Sequence, residues 1–588
     1  MSFLPKHHRP LGKLARYARY TGAEAFSNPR CTKVVGASSP VTLRAHSTEA
    51  QPKKKILVFD NKSPNLQDFI RASSNQLSGA TVNIPQPEAV PYLPQVNYGA
   101  GSKYFIEVYG CQMNVNDTEI LMGILNQAGY SRTHELEDAD VIFLVTCSIR
   151  ENAENKIYQR LNYFKHLKTK KRPTRPPLVG VLGCMAERLK GKLLEQEKVV
   201  DIVCGPDAYR SIPHLISMAE TSIQQVANVI LSADETYADI MPVRLNDNSV
   251  SVHLSIMRGC NNMCSYCIVP FTRGTERSRP IDSIVDEVRK LSDQGIKEVI
   301  LLGQNVNSYR DTSESKIFAT STIGQDLSRG FKTIYKRKEG GRRFAELIDR
   351  VSEIDPEMRI RFTSPHPKDF PDDLLWLIKE KPNVCSNIHM PAQSGNTEVL
   401  DRMRRGYSRE AYLDLVSRIR GVIPGVTLSS DFITGFCHET EEEHRDTVTL
   451  MEQVKYDMAY MFAYSMREKT HAHRKMIDDV PDDVKSRRLQ EIIETFHRNA
   501  REKNQALIGK PQLVLVEGTT KRNANMLQGR DDGNHKVFIE IPAGQDMNIK
   551  PGDYVKVITQ AASATSLSAL AVEKTTLAEY ARQHPTAN

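Results

Sequence analysis

Three cysteines in the middle of the chain are the residues whose type and spacing most clearly indicate chemistry. Cys260, Cys264 and Cys267 follow one another at C-x3-C-x2-C spacing, directly after the apolar run Val252–Met257. Soft thiolates suit iron, and three of them this close can hold three corners of a four-iron cubane cluster, which leaves the fourth iron to a ligand that is not protein. The alternatives are three unrelated buried thiols or a structural zinc loop, for which only His253 offers a fourth ligand.

A second set of three cysteines lies nearer the N-terminus, each at the end of an apolar run. The runs with their final cysteines are Tyr104–Cys111, Val141–Cys147 and Leu178–Cys184. Their separations of 36 and 37 residues each match one βαβ unit, so the pattern predicts a parallel sheet. Because strand C-termini meet at one edge of such a sheet, we expect Cys111, Cys147 and Cys184 to gather there and hold a second cluster. The alternative is three structural cysteines, the role we assign to Cys204.

Composition places the chain among soluble intracellular proteins. Of its 588 residues, 26% are charged and 40% hydrophobic, and no apolar run approaches the length of about 20 residues that a membrane span needs. We therefore expect no membrane partner. Ten cysteines in so long a chain do not make a disulfide scaffold. Their grouping favours metal binding in a reducing compartment.

The net charge is concentrated at the N-terminus. Residues 1–50 contain eight Lys or Arg and two acids, and so carry +6 of the total of +8. A basic, acid-poor, Ser-containing start is typical of a mitochondrial transit peptide; the alternative is a disordered basic arm. Residues 51–98 are rich in Pro, Asn and Gln and predict a disordered linker.

Strand and helix patterns alternate again from about residue 250. The six predicted strands are Val252–Met257, Val299–Leu302, Arg359–Phe362, Asn387–His389, Thr427–Ile433 and Ala459–Tyr464. Six such units predict a partial (β/α)6 barrel, whose site lies at the C-terminal ends of the strands. Gln304, Ser364 and Gln393 fall at those ends and are candidate site residues, although each alone also suits a loop cap. Gly303 and Gly395 are expected to let the backbone approach a cofactor.

The last part of the chain changes character. Residues 482–507 alternate charged and apolar positions and predict an amphipathic helix. Alternating β patterns around Gly and Asn turns follow over 509–573 and predict a small all-β barrel, a type that binds oligonucleotides. The expected fold is α/β: an N-terminal three-layer parallel domain, a central partial barrel and a C-terminal β-barrel.

Several motifs together resemble the methylthiotransferase family of radical S-adenosylmethionine (SAM) enzymes. The motifs are Tyr109–Asn114, Thr146–Arg150, Gly183–Cys184, Arg258–Pro270, Phe271–Arg279 and Leu302–Asn307. The resemblance covers about residues 100–575. It implies an N-terminal domain with an auxiliary cluster over 99–225, a radical-SAM core over 246–505 and a TRAM RNA-binding domain over 508–574.

The resemblance also implies the cofactors. Two [4Fe–4S] clusters would be held by Cys111, Cys147 and Cys184 and by Cys260, Cys264 and Cys267. SAM would chelate the open iron of the second cluster, and its reductive cleavage would give a deoxyadenosyl radical. The first cluster would deliver sulfur, and a second SAM the methyl group. Residues near the SAM site would be Tyr266, Gln304, Ser364 and Gln393.

Two departures from the family pattern put local contacts in doubt. The fifth-strand loop reads Gly435-Phe-Cys-His-Glu-Thr440, where Cys437 and His438 replace the usual Pro-Gly. Cys437 is interpreted as a buried spare rather than a ligand. After the sixth strand, Lys469 replaces a glycine.

The implied substrate is tRNA. Lys156–Arg175 holds eight basic residues and no acid, and Arg402, Arg404, Arg405 and Lys521-Arg522 add to the charge, which predicts phosphate contacts. Within the family, Gly303–Tyr309 resembles the branch acting on N6-isopentenyladenosine at anticodon-loop position 37, here in the mitochondrial matrix, with an electron donor protein as partner. Alternatives are threonylcarbamoyl-adenosine as substrate, or a regulatory role in binding a subunit that activates cyclin-dependent kinase five.

Overall fold

The computed structural model describes most of the chain after residue 97. The described residues are 56–59, 98–99, 101–148, 151–171, 176–221, 225–313, 330–332, 340–521, 523, 526–542 and 547–584. The transit peptide expected over 1–50 lies outside the described residues.

A seven-stranded parallel sheet forms the N-terminal part. In spatial order its strands are Ile56–Phe59, Gln225–Asn228, Ile202–Cys204, Leu178–Gly183, Val141–Thr146, Lys103–Val108 and Ser131–Arg132. Its helices are Gln112–Gln127, Glu151–His166, Cys184–Leu189, Gly191–Gln196 and Ile212–Thr221. Every residue of Val141–Thr146 is buried, because apolar cores cover both faces of the sheet. The predicted three-layer α/β arrangement is confirmed.

One strand lies inside the segment expected to be linker. Ile56–Phe59 pairs in parallel with Gln225–Asn228 at the edge of the sheet. The expectation of a continuous linker over 51–98 is therefore wrong at this strand. Sequence reasoning missed it because four apolar residues flanked by Lys, Asn and Pro give too short a pattern to separate from a loop.

The central part is a six-stranded partial barrel, as predicted. Its strands are Ser251–Ser255, Glu298–Leu302, Arg359–Phe362, Asn387–His389, Thr427–Thr434 and Met458–Ala463. They form two parallel groups of three, connected by a bridge from Ile360 to Val384. Alternate apolar side chains such as Val299 and Leu301 pack outward against the helices in one large core. Because the strands pair in parallel, their C-termini and the loops that follow lie at one end of the barrel.

Helices and short strand pairs complete the barrel. The helices are Val269–Thr272, Ile281–Asp293, Phe344–Ser352, Asp372–Glu380, Thr397–Arg402, Arg409–Val422, Glu441–Val454, His471–Lys475 and Asp482–Gln505. The two antiparallel pairs are Met257–Arg258 with Arg277–Ser278, and Arg310–Asp311 with Arg342–Arg343. The first pair closes the base of the loop that carries Cys260, Cys264 and Cys267, so the predicted cysteine loop begins and ends on paired backbone.

The C-terminal part is a closed five-stranded β-barrel. Its strands are Pro511–Thr519, Leu527–Arg530, Lys536–Glu540, Tyr554–Ala562 and Ser566–Thr575, and the helix Leu577–Gln583 follows. Buried guanidinium groups attach it to the partial barrel: Arg359 donates to the carbonyl oxygens of Leu513 and Arg530 at 2.8 Å, and Arg361 donates to those of Asp531 and Asp532. The predicted all-β C-terminal fold is confirmed. Among the described residues, no helix combines the length and the apolar character needed to cross a membrane.

Candidate iron–sulfur and cofactor site

The three N-terminal cysteines meet at the C-terminal edge of the parallel sheet. Cys111 precedes the helix Gln112–Gln127, Cys147 follows the strand that ends at Thr146, and Cys184 opens the next short helix. The thiols of Cys111 and Cys147 are hydrogen-bonded to each other. Gly110 has φ 113°, and a side chain there would collide with Cys147, so this turn requires glycine. The structure brings the predicted three cysteines together.

The charges around this N-terminal triad (Cys111, Cys147, Cys184) favour a thiolate. The hydrogen bond from Cys147, followed by the positive charge of Arg273, lowers the pKa of Cys111 to about 6. Burial instead raises the pKa of Cys184, although Arg273 Nε donates to its Sγ at 3.2 Å. Cationic donors near cysteine favour the metal-binding thiolate form. The donor set therefore fits a thiolate-ligated iron cluster.

The core triad (Cys260, Cys264, Cys267) lies on the loop after the first barrel strand. The backbone N–H of Cys267 donates to the carbonyl oxygen of Cys264 at 3.0 Å, which folds the loop into a turn. Arg405 Nη1 lies 3.5 Å from Cys264 Sγ. Burial, then the charge of Glu276 and the neighbouring thiols, raise the pKa of Cys260 well above its usual value. Three thiolates this close together repel one another, and bound iron cations would neutralise their charge.

The thiols of both triads are of the donor type that iron–sulfur clusters take. Within the described ranges, no set of three or more His, Cys, Asp or Glu side chains is arranged to hold one metal ion. A four-iron cluster is wider than an ion and takes thiolates as protein ligands. Each triad supplies three thiols for such a cluster, and each lies beside a guanidinium group.

A buried carboxylate joins the two triads. Asp117, on the helix that begins after Cys111, pairs with Arg258 at 2.7 Å and with Arg273 at 2.7 Å. Arg258 lies two residues before Cys260, and Arg273 contacts Cys184. Burial alone would favour the neutral acid, but the two guanidinium groups lower the pKa of Asp117 below its usual value. The N-terminal domain and the barrel are thus held together by charge at the site itself.

Three of the predicted SAM-site residues have unusual local environments. Gln304 Oε1 is buried with no hydrogen-bond partner among the described residues. Ser364 and Gln393 have φ values of 61° and 71°, a left-handed conformation that non-glycine residues rarely adopt and that concentrates at functional sites. Tyr266 instead packs against a small apolar cluster that includes Phe436. The unpartnered amide and the strained backbone are compatible with ligand contacts.

The two asparagines after Gln304 support the neighbouring loop. Asn305 Oδ1 and Asn307 Oδ1 accept from the backbone N–H of His366 at 3.1 and 2.9 Å, and Asn307 Nδ2 donates to the carbonyl oxygen of His366 at 2.8 Å. Burial, followed by the charges of Arg405 and Lys368, lowers the pKa of His366 well below its usual value. His366 is therefore a neutral residue fixed between two strand ends.

Gly303 and Gly395 are both packed closely against other parts of the protein. A side chain at Gly303 would collide with Met257, and one at Gly395 would collide with the backbone of Asp446 and Thr447. Both contacts are with the protein itself. Packing therefore requires glycine at both positions, and the approach of the backbone to a cofactor at these positions stays a prediction.

At both departures from the family pattern, the residue that stands in place of a glycine has a positive φ. His438 and Lys469 adopt φ values of 63° and 74°. His438 is held by Asp479, which accepts from its backbone N–H at 2.8 Å and from its Nδ1 at 2.7 Å. Lys469 Nζ donates to the carbonyl oxygen of Arg188 at 2.9 Å. Cys437 is fully buried in the same apolar cluster as Phe436, as expected for a spare thiol.

Several arginines and lysines predicted to contact phosphate are engaged within the protein. Arg402 pairs with Glu443 at 2.7 Å, and Arg405 is buried against Cys264. In the basic run over 156–175, Arg160 pairs with Glu107 and Lys168 with Asp201. Lys156, Lys165, Arg404 and Lys521 are exposed, and residues 172–175 and Arg522 lie outside the described residues. The prediction of a phosphate contact is thus wrong for the buried Arg405, and for Arg402, Arg160 and Lys168 it stays a prediction weakened by their internal ion pairs.

Four residues around the triads were not predicted from the sequence to lie at the cluster sites. They are Asn114, Asp117, Arg273 and Arg405, each in contact with a cysteine or with a residue that contacts one. Asn114 and Arg273 lie inside quoted motifs, so their position in a motif was the available signal. Asp117 and Arg405 carry none.

Two family profiles match the chain. "Uncharacterized protein family UPF0004" matches residues 103–205, and "Radical SAM superfamily" matches residues 254–451. Each match contains one of the cysteine triads.

Named relatives match over nearly the whole length. The chain is 55% identical to the "Mitochondrial tRNA methylthiotransferase CDK5RAP1" of Mus musculus over 90% of this chain and 92% of that protein. It is 47% identical to the "tRNA-2-methylthio-N(6)-dimethylallyladenosine synthase" of Chloroherpeton thalassium over 79% of this chain and 95% of the relative. Because this likeness spans most of the length of both chains and the radical-SAM profile matches the central part, the chain belongs to the family of radical-SAM mitochondrial tRNA methylthiotransferases.

Proposed function

We propose that the protein converts N6-isopentenyladenosine at position 37 of mitochondrial tRNA into its 2-methylthio derivative, in the matrix. The reaction replaces the hydrogen on C2 of the adenine ring with a methylthio group. The observation that carries the proposal is the pair of cysteine triads joined through Asp117, Arg258 and Arg273. A reaction that needs both radical formation and sulfur supply requires two such centres beside one substrate.

The cysteines would hold two clusters with different tasks. As a radical-SAM enzyme the protein uses SAM and a [4Fe–4S] cluster, and we assign the latter to Cys260, Cys264 and Cys267. We assign a second [4Fe–4S] cluster to Cys111, Cys147 and Cys184. When SAM and both clusters are bound, they would supply a carbon-centred radical, the sulfur atom and the methyl group. The proposed division is 99–225 for the auxiliary-cluster domain, 246–505 for the radical-SAM core and 508–574 for the RNA-binding domain, after a transit peptide over 1–50.

The protein's own side chains would place and shield these groups. Arg273 donates to Cys184 Sγ and to Asn114 Oδ1, which orients the N-terminal triad against the barrel. Arg405, buried beside Cys264, brings positive charge to the core triad and offsets the negative charge of its thiolates. Gln304 Oε1 offers an unused acceptor, which suits the ammonium group or a ribose hydroxyl of SAM.

Two partners complete the proposal. The reaction consumes electrons, so an electron donor protein must supply them. Association with a regulatory subunit of cyclin-dependent kinase five is a second candidate role, suggested by the name of the mouse relative. The retention of all six cysteines in two triads favours catalysis.

The test is anaerobic reconstitution followed by assay. About eight irons per chain, falling to about four when either triad is changed to serine, support two four-iron clusters. Wild-type protein given SAM, reductant and isopentenylated tRNA should form the methylthio nucleoside, detected by mass spectrometry of digested tRNA. Iron at about four per chain, held by the core triad alone, contradicts the two-cluster assignment. No product with fully loaded protein contradicts the reaction.

A further inference from the structure

A group of exposed cations lies beside the loop that carries the core triad. Arg404 precedes the buried Arg405, and His473, Arg474 and Lys475 occupy the last turn of the helix His471–Lys475; all four are exposed. We call Arg404, His473, Arg474 and Lys475 the loop-side basic surface. Sequence patterns drew attention to Arg404 alone, because the other three are 69 to 71 residues further along the chain.

Backbone hydrogen bonds fix this surface on both sides of the cysteine loop. Ser265, between Cys264 and Cys267, donates its N–H to the carbonyl oxygen of Met403 at 3.0 Å, and its own carbonyl oxygen accepts from Ala472 N–H at 2.8 Å. The guanidinium of Arg474 lies 5.7 Å from the centre of the Phe271 ring, on the helix after the loop. The cations are therefore carried by segments bonded directly to the loop.

The electrostatic environment of this surface is positive. Arg404 Nη2 donates to His471 Nε2 at 2.7 Å. Burial, followed by the charges of Arg404, Arg474 and Lys475, lowers the pKa of His471. Within the described part of the chain, no carboxylate forms an ion pair with Arg404, Arg474 or Lys475. By contrast, Arg402 is neutralised by Glu443 and Lys485 by Asp478.

We propose that Arg404, Arg474 and Lys475 bind backbone phosphates of the anticodon-loop nucleotides that flank the modified adenosine. The inference rests on the proposed function and names the surface that function uses. A base reaching the core triad must be unstacked, and its neighbouring phosphates then lie at the rim of the site. Unpaired cations fixed at that rim supply the sequence-independent contacts that set the position of a nucleic acid.

The other basic stretch of the chain is a weaker candidate. In the run over 156–175, Arg160 and Lys168 are held by Glu107 and Asp201, and Lys156 and Lys165 are separated exposed side chains on one helix. Engaged cations add little to phosphate binding because their charge is already neutralised. The loop-side basic surface keeps its charge and lies next to the chemistry.

The experiment compares RNA binding by two double variants of the full chain. R474Q/K475Q removes two charges of the surface and keeps polar side chains of similar length. R289Q/K290Q removes the same charge from the exposed outer face of the helix Ile281–Asp293. Reconstituted proteins are titrated with an RNA anticodon stem–loop carrying isopentenyladenosine, at several salt concentrations. Iron per chain and thermal unfolding establish that each variant is folded and loaded.

We expect R474Q/K475Q to bind the stem–loop roughly tenfold more weakly than wild type at ~0.1 M salt. The slope of log Kd against log salt should fall by about 1.4, because each lost single-strand contact contributes about 0.7. R289Q/K290Q should bind as wild type does. Equal binding and equal slopes for R474Q/K475Q and wild type would overturn the proposal. If wild type binds the RNA but forms no methylthio product, the proposed reaction fails while the binding comparison still decides the surface.

Discussion

The carboxylate of Asp117 and the guanidinium of Arg273 form a buried ion pair 2.7 Å long across the boundary between the two α/β parts. The same guanidinium donates to Cys184 Sγ at 3.2 Å. Asp117 also pairs with Arg258, next to the core cysteine loop. A single buried acid therefore connects the two cysteine triads, beside further contacts between the two parts such as the Arg277–Asp207 ion pair.

Replacing Asp117 by Asn tests this role. The change leaves buried Arg273 without its counter-charge and buried Arg258 with only Glu235, 3.8 Å away, which is expected to lower the free energy of unfolding by about 3–5 kcal/mol. Arg273 would lose its ion pair with Asp117 and would no longer be held against Cys184, so the iron content of the N-terminal triad should also decrease. Chemical denaturation and iron analysis of the reconstituted variant measure both effects.

The matched control is Asp138→Asn. Asp138 lies 3.7 Å from Lys103 with both side chains about half exposed, so its loss should change stability by less than about 1 kcal/mol. Equal stability of D117N and D138N would contradict the structural role of the buried acid.

Single cysteine variants should separate the two centres. Cys264→Ser is expected to abolish SAM cleavage, because the core triad loses a ligand. Cys147→Ser is expected to retain SAM cleavage but to form no methylthio nucleoside. Deoxyadenosine and modified nucleoside are quantified in the same reaction. A C147S protein that still methylthiolates tRNA would show that the N-terminal triad does not supply sulfur.

The remaining buried cysteines provide matched controls. Cys204 is fully buried at the end of a sheet strand, and Cys437 lies in the apolar cluster with Phe436 and Tyr464. Cys204→Ala and Cys437→Ala should each keep the full iron content and lower the free energy of unfolding by about 1 kcal/mol. Loss of iron in C437A would mean that this departure from the family pattern has become a ligand.

Much of the fold and the grouping of the cysteines could be predicted from local patterns. Apolar strands in regular alternation with helices specify a parallel sheet. Cys147 and Cys184 directly follow such strands, and Cys111 lies three residues after the end of another. Parallel connection places strand ends at one edge whatever the side-chain details. The six barrel strands follow from the same alternation, and all six are present.

The partners of individual side chains could not be predicted in this way. Asp117 pairs with Arg258 and Arg273, which are 141 and 156 residues away in the sequence. Charged residues look alike in a sequence whether they face water or a buried counter-charge, which is why Arg405 was predicted to contact RNA. A glycine required by packing also has the same sequence signal as one required by a ligand, so the sequence could not show that Gly303 and Gly395 are packed against the protein.

Docking of the C-terminal barrel depends on Arg361. Its guanidinium pairs with Glu298 at 2.7 Å and donates to the carbonyl oxygens of Asp531 and Asp532. Arg361→Gln leaves a buried Glu298 unpaired and should lower the free energy of unfolding by about 3–5 kcal/mol. Limited proteolysis should then release the segment 511–575 sooner than in wild type. Arg350→Gln, whose partners Asp282 and Glu346 are exposed, is the control and should leave proteolysis unchanged.

The same junction should be sensitive to pH through His535. Its Nδ1 lies 2.8 Å from Asp531 Oδ2, and its Nε2 lies 4.0 Å from Asp457, which is itself paired with Lys503. Burial opposes the charged imidazole, but Asp531 and then Asp457 outweigh it, so the pKa of His535 is raised. A raised histidine pKa adds stability that is fully present below about pH 6.5 and is lost as pH rises through the pKa of the folded state.

Asp531 sets the other limit of this pH window. Its carboxylate is paired with His535, which lowers its pKa despite burial, so its contribution is present above about pH 4 and is lost as pH falls further. The free energy of unfolding of wild type relative to His535→Gln should therefore be largest between about pH 4 and pH 6.5 and should shrink toward pH 9. Denaturant titrations of both proteins across this range measure the difference. A difference that stays constant from pH 6 to pH 9 would mean that His535 is not charged in the folded protein, and that Asp531 holds the junction through the backbone N–H of residue 535 alone.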